Sequence, residues 1–532
     1  MLSTLHGLAN TWGVSSFLHL DTLRVAAVPD LAKRADLRHA AAALCSRVRQ
    51  LSFRLREAFR DIVVAKTGAP CRSLYKDVHA DAGEIQRLRW LVRTPPAREP
   101  FKPGEQKALF GAIYLDLTDI VCHALWHDTC AGIPRVQLEI TNSLMKSGSD
   151  VRPIAFHHEQ WWELQPLIEA ADGDVDAIFC LIKDVFADFK WTRRGLAFFL
   201  KRRRKLRAMK HSSRMPELDP QDTLFIGGAF WIKREIIDFC VRSANHGAKL
   251  TILLHDLMPL INPYFTGHDF STEFLEILRL PAHFIVTTSR NGQDLEVVRR
   301  GHLAKGPLTS FSVVALADEF PGSVRNAPPL AASDRLTNLI GVDFVLCVGT
   351  IEVRKNHLTL LSVWEQLAAE LGDRLPCLVI AGRRGWKAET ALEKLDRANS
   401  TSKLIRFVEA PTDGELRWLY ASCQFTVFPS YFEGWGLPVG ESFWFGKPCA
   451  ASNMSSIPAV GRDLCSYFSP FDPEEMTRAI RALLNPTTRR LYQARIQSTP
   501  LRTWKDVASD IKTIITDLCA LPSDAIQSPA ER

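Results

Sequence analysis

The chain has 532 residues, of which 46% are hydrophobic and 23% charged, and a formal net charge of +7. That length supports two or three domains with separate cores, and the weak basic excess argues against a protein built around nucleic acid. The 12 cysteines include no CxxC pair and no Cys/His cluster at zinc spacing, so buried thiols in a reducing compartment are expected. MLSTLHGLANTWGVSSF lacks the charge pattern of a signal peptide, and no window reaches the roughly 20 apolar residues that span a bilayer. A cytoplasmic location follows, with peripheral attachment at the inner membrane face left open.

In chain order, residues 1–105 are rich in Ala, Leu and Arg at helical spacing and read as a helical extension, a candidate for oligomerisation. From about residue 106 the rhythm changes. AIYLDLTD reads as a strand, and PRVQLEITNSLMKSG as a helix with Pro134 in its first turn. VRPIAFH and DTLFIGG follow as strands, KREIIDFCVRSANHG as a helix, KLTILLHD as a strand and STEFLEILRL as a helix. HFIVTTS and QDLEVVRRG complete the series. Short apolar runs alternating with amphipathic helices predict parallel βαβ units in a first domain over 106–325.

Residues 326–338, rich in Pro, Ala, Ser and Asn, read as a hinge. The alternation then restarts with DFVLCVGT, HLTLLSVWEQLAAELG, LPCLVIAG, KLIRFVEA, DGELRWLYASC, QFTVFPS, ESFWFG and PCAASN. EEMTRAIRALL and WKDVASDIKTIITDL close a second domain over 339–520, and 521–532 reads as a disordered tail. The fold class is therefore α/β, with two Rossmann-like doubly wound domains in series.

Ligands of open parallel sheets bind beyond the carboxyl ends of the strands, and polar motifs stand there. In VGTIEVRKNH, Gly349 permits a tight turn and Arg354 and Lys355 precede a helix, which suits an anion; the alternative is a solvated basic turn. AGRRGW, with Gly382, either lets the backbone approach a ligand or makes an ordinary turn. EGWGLPVGE places Glu433 and Glu441 around Gly434, Gly436 and Gly440, with a helix expected to begin near Gly440 or Glu441. Two carboxylates across one glycine-rich turn suit a polyhydroxyl ligand; the alternative is a capping Glu and a surface Glu.

SYFEGWGLPVGESFWFGKPCAASNMSSIPAVG resembles the nucleotide-sugar motif of retaining glycosyltransferases of family 4, which have the GT-B fold. The pattern is carried by Glu433, Glu441, Gly446, Lys447 and Pro448, and VGTIEVRKN is similar to that family's phosphate loop. The resemblance covers roughly residues 110–520. The Arg-Lys-Asn form of the loop and AGRRGW are similar to a mannosyltransferase-like branch. Departures are Thr350 where many relatives carry Arg, Ala459 where many carry Glu, and VVALADEF where a Pro-x-Gly turn is common.

The resemblance implies that Glu433 contacts the donor sugar, Glu441 holds the ribose, and Arg354 and Lys355 neutralise the departing diphosphate. Gly349, Thr350 and Gly382, with backbone amides around Gly434, Trp435, Gly436 and Leu437, would complete the donor site. His255 and Asp256, ending a buried strand, would face the transferred sugar; a core histidine and a capping aspartate are the alternatives. Gly132 and Arg135, in HDTCAGIPRVQLEI, would open onto the acceptor. No Asp-x-Asp stands at a strand end, so no metal or other cofactor is required.

The expected reaction moves a sugar, first guess mannose from GDP-mannose, to a polysaccharide or lipid-linked glycan. Nine Lys or Arg between Arg193 and Lys210 surround Phe198, Phe199 and Leu200, the composition of a membrane-surface anchor or of a solvated insertion. No nucleic-acid partner is expected. A non-catalytic binding protein of this fold, or another GT-B enzyme such as a glycan synthase, is the alternative.

Overall fold

The computed structural model describes residues 111–186, 211–212, 214–302, 310–401 and 403–520. The expected helical extension, the basic run over 193–210 and the tail lie outside the described residues.

The first sheet contains β1 (Ile113–Asp116), β2 (Val151–His157), β3 (Gln160–Glu163), β4 (His211–Ser212), β5 (Thr223–Ile226), β6 (Lys249–Leu254), β7 (Ala282–Val286) and β8 (Phe311–Val313). Their order is β4-β3-β2-β1-β5-β6-β7-β8. The second contains β9 (Phe344–Val348), β10 (Cys377–Gly382), β11 (Ile405–Glu409), β12 (Thr426–Phe428), β13 (Cys449–Ser452) and β14 (Cys465–Phe468), in the order β11-β10-β9-β12-β13-β14. All pairings are parallel except β2–β3 and β3–β4. Strands such as β5 and β10 are buried at every position because helices cover both faces. The result is the expected pair of doubly wound sheets.

The antiparallel edge was not legible in the sequence. His158 and Glu159, at φ 49° and 59°, join β2 to β3 in a two-residue turn with both central residues left-handed. Asn-Gly usually marks such a turn, and this chain has neither residue there.

The helices of the first domain are α1 (Thr118–Trp126), α2 (Ile133–Lys146), α3 (Gln165–Ala170), α4 (Val175–Phe186), α5 (Arg234–Asn245), α6 (Met258–Ile261), α7 (Ser271–Leu278) and α8 (Ser289–His302). Those that follow are α9 (His357–Leu371), α10 (Glu389–Thr401), α11 (Asp413–Ser422), α12 (Leu437–Trp444), α13 (Ile457–Gly461), α14 (Pro473–Leu484), α15 (Pro486–Ser498) and α16 (Trp504–Ala520). α11 starts in a capping box: Thr412 accepts from the Glu415 amide, and Glu415 reaches back to the Thr412 amide. That cap fixes Asp413 at the helix start, where the site uses it.

One hydrophobic cluster runs through both domains. Phe225 and Ile285 of the first sheet, Trp435 and Val439 of the second domain, and Trp504 and Ile511 of α16 all belong to it. At about 1.5–3 kcal/mol for each large apolar side chain buried, this shared core holds the two strand-end surfaces face to face. α16 packs on α2, and Lys512 donates to the Ser147 carbonyl at 3.0 Å. The last helix thus completes the wall of the first domain.

Candidate functional site

The second sheet reverses direction between β9 and β12, so the loops leaving those adjacent strands open side by side. Such a switch point is where ligands of open α/β sheets sit. After β9, Gly349 donates to the Ala381 carbonyl at 3.0 Å, and Ile351 to Arg383 O at 2.7 Å. A Cβ at Gly382 would stand 1.8 Å from the Gly349 carbonyl oxygen, so only glycine lets the two turns close on each other. Thr350 is half-buried within this turn. Val353–Lys355 then form one 3₁₀ turn, ended by Asn356 at φ 56° before α9.

That turn aims two cations at the loop after β12. Arg354 lies 2.5 Å from one Glu433 carboxylate oxygen, and Lys355 lies 2.7 Å from the other. Arg354 also pairs with Glu352 at 2.5 Å and donates to the Phe432 carbonyl at 2.8 Å. The Lys355 ammonium rests 4.9 Å from the Phe428 ring centre. Burial alone would raise the Glu433 pKa, but the Arg354 and Lys355 charges outweigh it and pull it down to about 2. Glu433 is therefore a buried carboxylate, ionised at neutral pH, between two cations.

Gly434 continues the loop against the first domain. A Cβ there would lie 2.3 Å from the His255 carbonyl oxygen. Trp435 is buried, and its indole N–H has no hydrogen-bond partner among the described residues. Gly436, at φ 110°, caps α12, which begins at Leu437 rather than near Gly440. The expectation failed because Pro438 is tolerated in a first turn, where no amide is needed. Glu441 consequently sits in the second turn, beyond the first-turn position where the helix dipole favours a carboxylate most.

Glu441 accepts from the Tyr420 hydroxyl at 2.8 Å and faces Arg135 at 3.4 Å. Burial raises its pKa, opposed by the Arg135 charge. Arg135 was expected to face an acceptor. The structure sets it between the domains, paired with Glu441 and Asp413 and donating to the Cys130 carbonyl at 3.0 Å. Gly132, at φ 64°, caps α2 and starts the turn that delivers it.

On the first domain, His255 and Asp256 directly follow β6. His255 is buried, and its Nε2 lies 2.9 Å from the Gly227 carbonyl. Burial lowers its pKa to about 4, so the ring is neutral and Nε2 carries the proton toward that carbonyl. Asp119 holds the same turn, accepting from the Ala229 amide at 3.0 Å. Asp256 accepts from the Met258 amide at 2.9 Å, the capping role named as its alternative.

Several residues here were not singled out in the sequence. Thr287 and Asn291, just beyond β7, both donate to the Gly434 carbonyl at 2.7 Å. Arg383, in the AGRRGW turn, reaches Thr129 across the cleft, and Trp386 donates to the Phe265 carbonyl at 3.1 Å. Asp413 and Ser456 add further cross-domain contacts, and Tyr420 holds Glu441 from within the second domain. None carries a local motif: Tyr420 lies 21 positions from Glu441, and each of the others reaches a partner more than a hundred positions away. Among the described residues no group of three or more His, Cys, Asp or Glu is placed to hold a metal ion. No described helix is long and apolar enough to cross a membrane.

Residues 339–498 match the family model described as glycosyl transferases group 1. O-antigen chain mannosyltransferase B of Escherichia coli is 28% identical over 244 residues, covering 46% of this chain and 57% of that protein. The serotype-specific mannosyltransferase WbdA of Escherichia coli is 27% identical over 249 residues, 45% of this chain and 30% of that protein. The chain thus spans little more than half, or less, of the length of these relatives. Among solved structures, a sucrose-phosphate synthase from Thermosynechococcus elongatus superposes with a TM-score of 0.51 at 16% identity, over 77% of this chain and 99% of that one. At that identity the likeness establishes the two-domain GT-B fold and nothing finer.

Proposed function

We propose that this chain, which belongs to the mannosyltransferase-like glycosyl transferases of group 1 and has the GT-B fold, is a retaining, metal-independent glycosyltransferase. Its donor is GDP-mannose and its acceptor a polysaccharide or lipid-linked glycan. One observation carries the reading: Glu433, Arg354 and Lys355 meet at the switch point of the second sheet, opposite the buried strand end at His255.

Departure of a nucleoside diphosphate builds negative charge on its phosphate oxygens, and fixed cations stabilise that charge. Arg354 and Lys355 fill this role, which a metal ion fills in other enzymes. In the structure they are neutralised by Glu433, and Glu441 is engaged by Arg135 and Tyr420. Donor binding then exchanges partners. The diphosphate takes over the two cations and frees Glu433 for sugar hydroxyls, and the ribose diol displaces Arg135 from Glu441. Vicinal hydroxyls suit both carboxylates because an ionised carboxylate only accepts hydrogen bonds.

In the transfer, the bond from sugar C1 to the phosphate oxygen breaks, and a bond from C1 to the acceptor oxygen forms on the same face. The acceptor proton passes to the departing phosphate oxygen, so no side-chain nucleophile is needed. Neutral His255, donating from Nε2 to Gly227, keeps Nδ1 as an acceptor beside the reacting sugar.

The test is transfer from radiolabelled GDP-mannose to a mannose-terminated oligosaccharide, with the product anomer read by NMR. Retention of the α configuration is expected. Folded Glu433→Gln and Lys355→Ala variants that transfer mannose at the wild-type rate would overturn the proposal. A thermal-shift panel of GDP, UDP, ADP, CMP and dTDP tests the base: a nucleotide at 100 times its Kd stabilises by about 2.7 kcal/mol.

A further inference from the structure

We infer that Asn291, in the first turn of α8, is a positioning residue that locks the Glu433–Gly434 loop onto the first domain when the cleft closes. The inference rests on the reading of Glu433 as the donor-sugar carboxylate.

Asn291 is 2% exposed, and its side chain does not cap its own helix; its backbone amide donates to Thr288 Oγ1 at 3.1 Å, which supplies that cap. The carboxamide is spent between the domains. Its Nδ2 lies 2.7 Å from the Gly434 carbonyl, 3.0 Å from the His255 carbonyl and 2.7 Å from Thr287 Oγ1. Its Oδ1 accepts from Ser456 Oγ at 3.0 Å, and Ser456 also meets Thr288 Oγ1 at 2.8 Å. One amide therefore holds both halves of the site: the carbonyl of the strand-end histidine, and the carbonyl next to the donor carboxylate.

The chemistry fits an amide and nothing else of that size. Gly434 O and His255 O only accept, so Asn291 must present donors to them, while Ser456 needs an acceptor on the same side chain. Every group named is buried. The bonds to Gly434 and Ser456 cross between the domains and are lost if the domains part, whereas His255 and Thr287 belong to the first domain with Asn291. Opening leaves the Gly434 carbonyl to water; closing without the amide leaves it buried with Thr287 Oγ1 as its remaining side-chain donor and takes the Asn291 donor from the His255 carbonyl, which is unfavourable. Gly434 enforces the fit from the other side, since any Cβ there collides with the His255 carbonyl. The residue acts through Gly434 on Glu433 and touches no reacting atom.

The test compares Asn291→Asp, which keeps the shape but replaces the donor with a carboxylate oxygen, Asn291→Ala, and Ser456→Ala, which frees the amide to turn. Losing one buried hydrogen bond that exists only in the closed form should lower kcat about tenfold or more in both Asn291 variants. Ser456→Ala should lose less in the same direction. GDP affinity, measured by calorimetry, should stay within about twofold, because the diphosphate and ribose contacts lie on the second domain. Small-angle scattering at saturating GDP should give a larger radius of gyration for Asn291→Asp than for the wild type. That measurement reads closure without turnover, so a failure of the proposed reaction is distinguishable from a failure of this inference. Unchanged kcat, a parallel loss of GDP affinity and kcat, or identical scattering would overturn it. If an Asn291 variant does not fold, Ser456→Ala decides by the same criteria.

Discussion

Glu433→Gln tests the electrostatics of the site before any substrate is involved. The wild-type carboxylate titrates at about 2 in the folded chain, against an ordinary 4.5. A depressed folded pKa contributes stability that is present above pH 4.5 and lost as pH falls through 2. The full contribution is about 3 kcal/mol, since each pKa unit is worth about 1.4 kcal/mol. Linkage puts roughly 1 kcal/mol of it lost by pH 4 and about 2 kcal/mol by pH 3. Glutamine cannot titrate, so the wild-type advantage over Glu433→Gln should shrink by those amounts. Acid-labile groups common to both proteins largely cancel in the difference. The assay is urea unfolding followed by tryptophan fluorescence at pH 7, 5, 4 and 3. A stability difference flat across that range would refute the claim that Arg354 and Lys355 hold this carboxylate ionised. A second readout separates charge from packing: the variant leaves Lys355 uncompensated, so GDP affinity should hold or rise while transfer collapses.

Arg135→Gln strands Asp413 and Glu441 as buried carboxylates and should cost about 3–5 kcal/mol in stability, measured by denaturant titration; a loss below 1 kcal/mol would contradict the buried cluster. Gly382→Ala should push the Gly349 turn aside and weaken GDP binding at least about tenfold, because its Cβ falls 1.8 Å from the Gly349 oxygen. Lys355→Ala removes one charged hydrogen-bond donor and should weaken GDP binding by about 1.5–3 kcal/mol by calorimetry, with the fold intact. Addition of EDTA should leave the rate of transfer unchanged; inhibition reversed by a divalent cation would refute the metal-independent reading.

How much of this could be read in the sequence follows from the range of the interactions. Period and punctuation are local, and they located ten strands from IYLD to CAAS, while β3, β4, β8 and β14 went unread. α15, largely polar, gives little periodic contrast and went unread, as did α10. The Glu433 motif was legible because its glycines and carboxylates lie within nine residues. Its meeting with Arg354 was inferable only through the resemblance, since 79 positions separate the two. Arg135 was singled out, but its partners were not: nothing near it in sequence announces Asp413. Asn291 left no signal, because an asparagine early in a helix reads as an ordinary cap.

The return of α16 to the first domain has a mechanical consequence. The chain passes between domains twice, and the two passages are tied side by side. Asp318 and Arg502 exchange backbone and side-chain hydrogen bonds of 3.0 Å, and the Glu319 carboxylate accepts from the Trp504 amide at 2.9 Å. Two adjacent, laced crossings leave relative rotation only one axis, as a pair of pins does for a lever. That axis runs beside α12, because a Cβ at Gly440 would lie 2.9 Å from an Asp318 carboxylate oxygen. Glu441, one residue beyond Gly440 on α12, therefore lies beside the laced crossings, whereas Glu433 stands in the loop before the helix. The two carboxylates of one nine-residue motif are thus tied differently to the rest of the chain: one to the passages that join the domains, the other to the Arg354 turn.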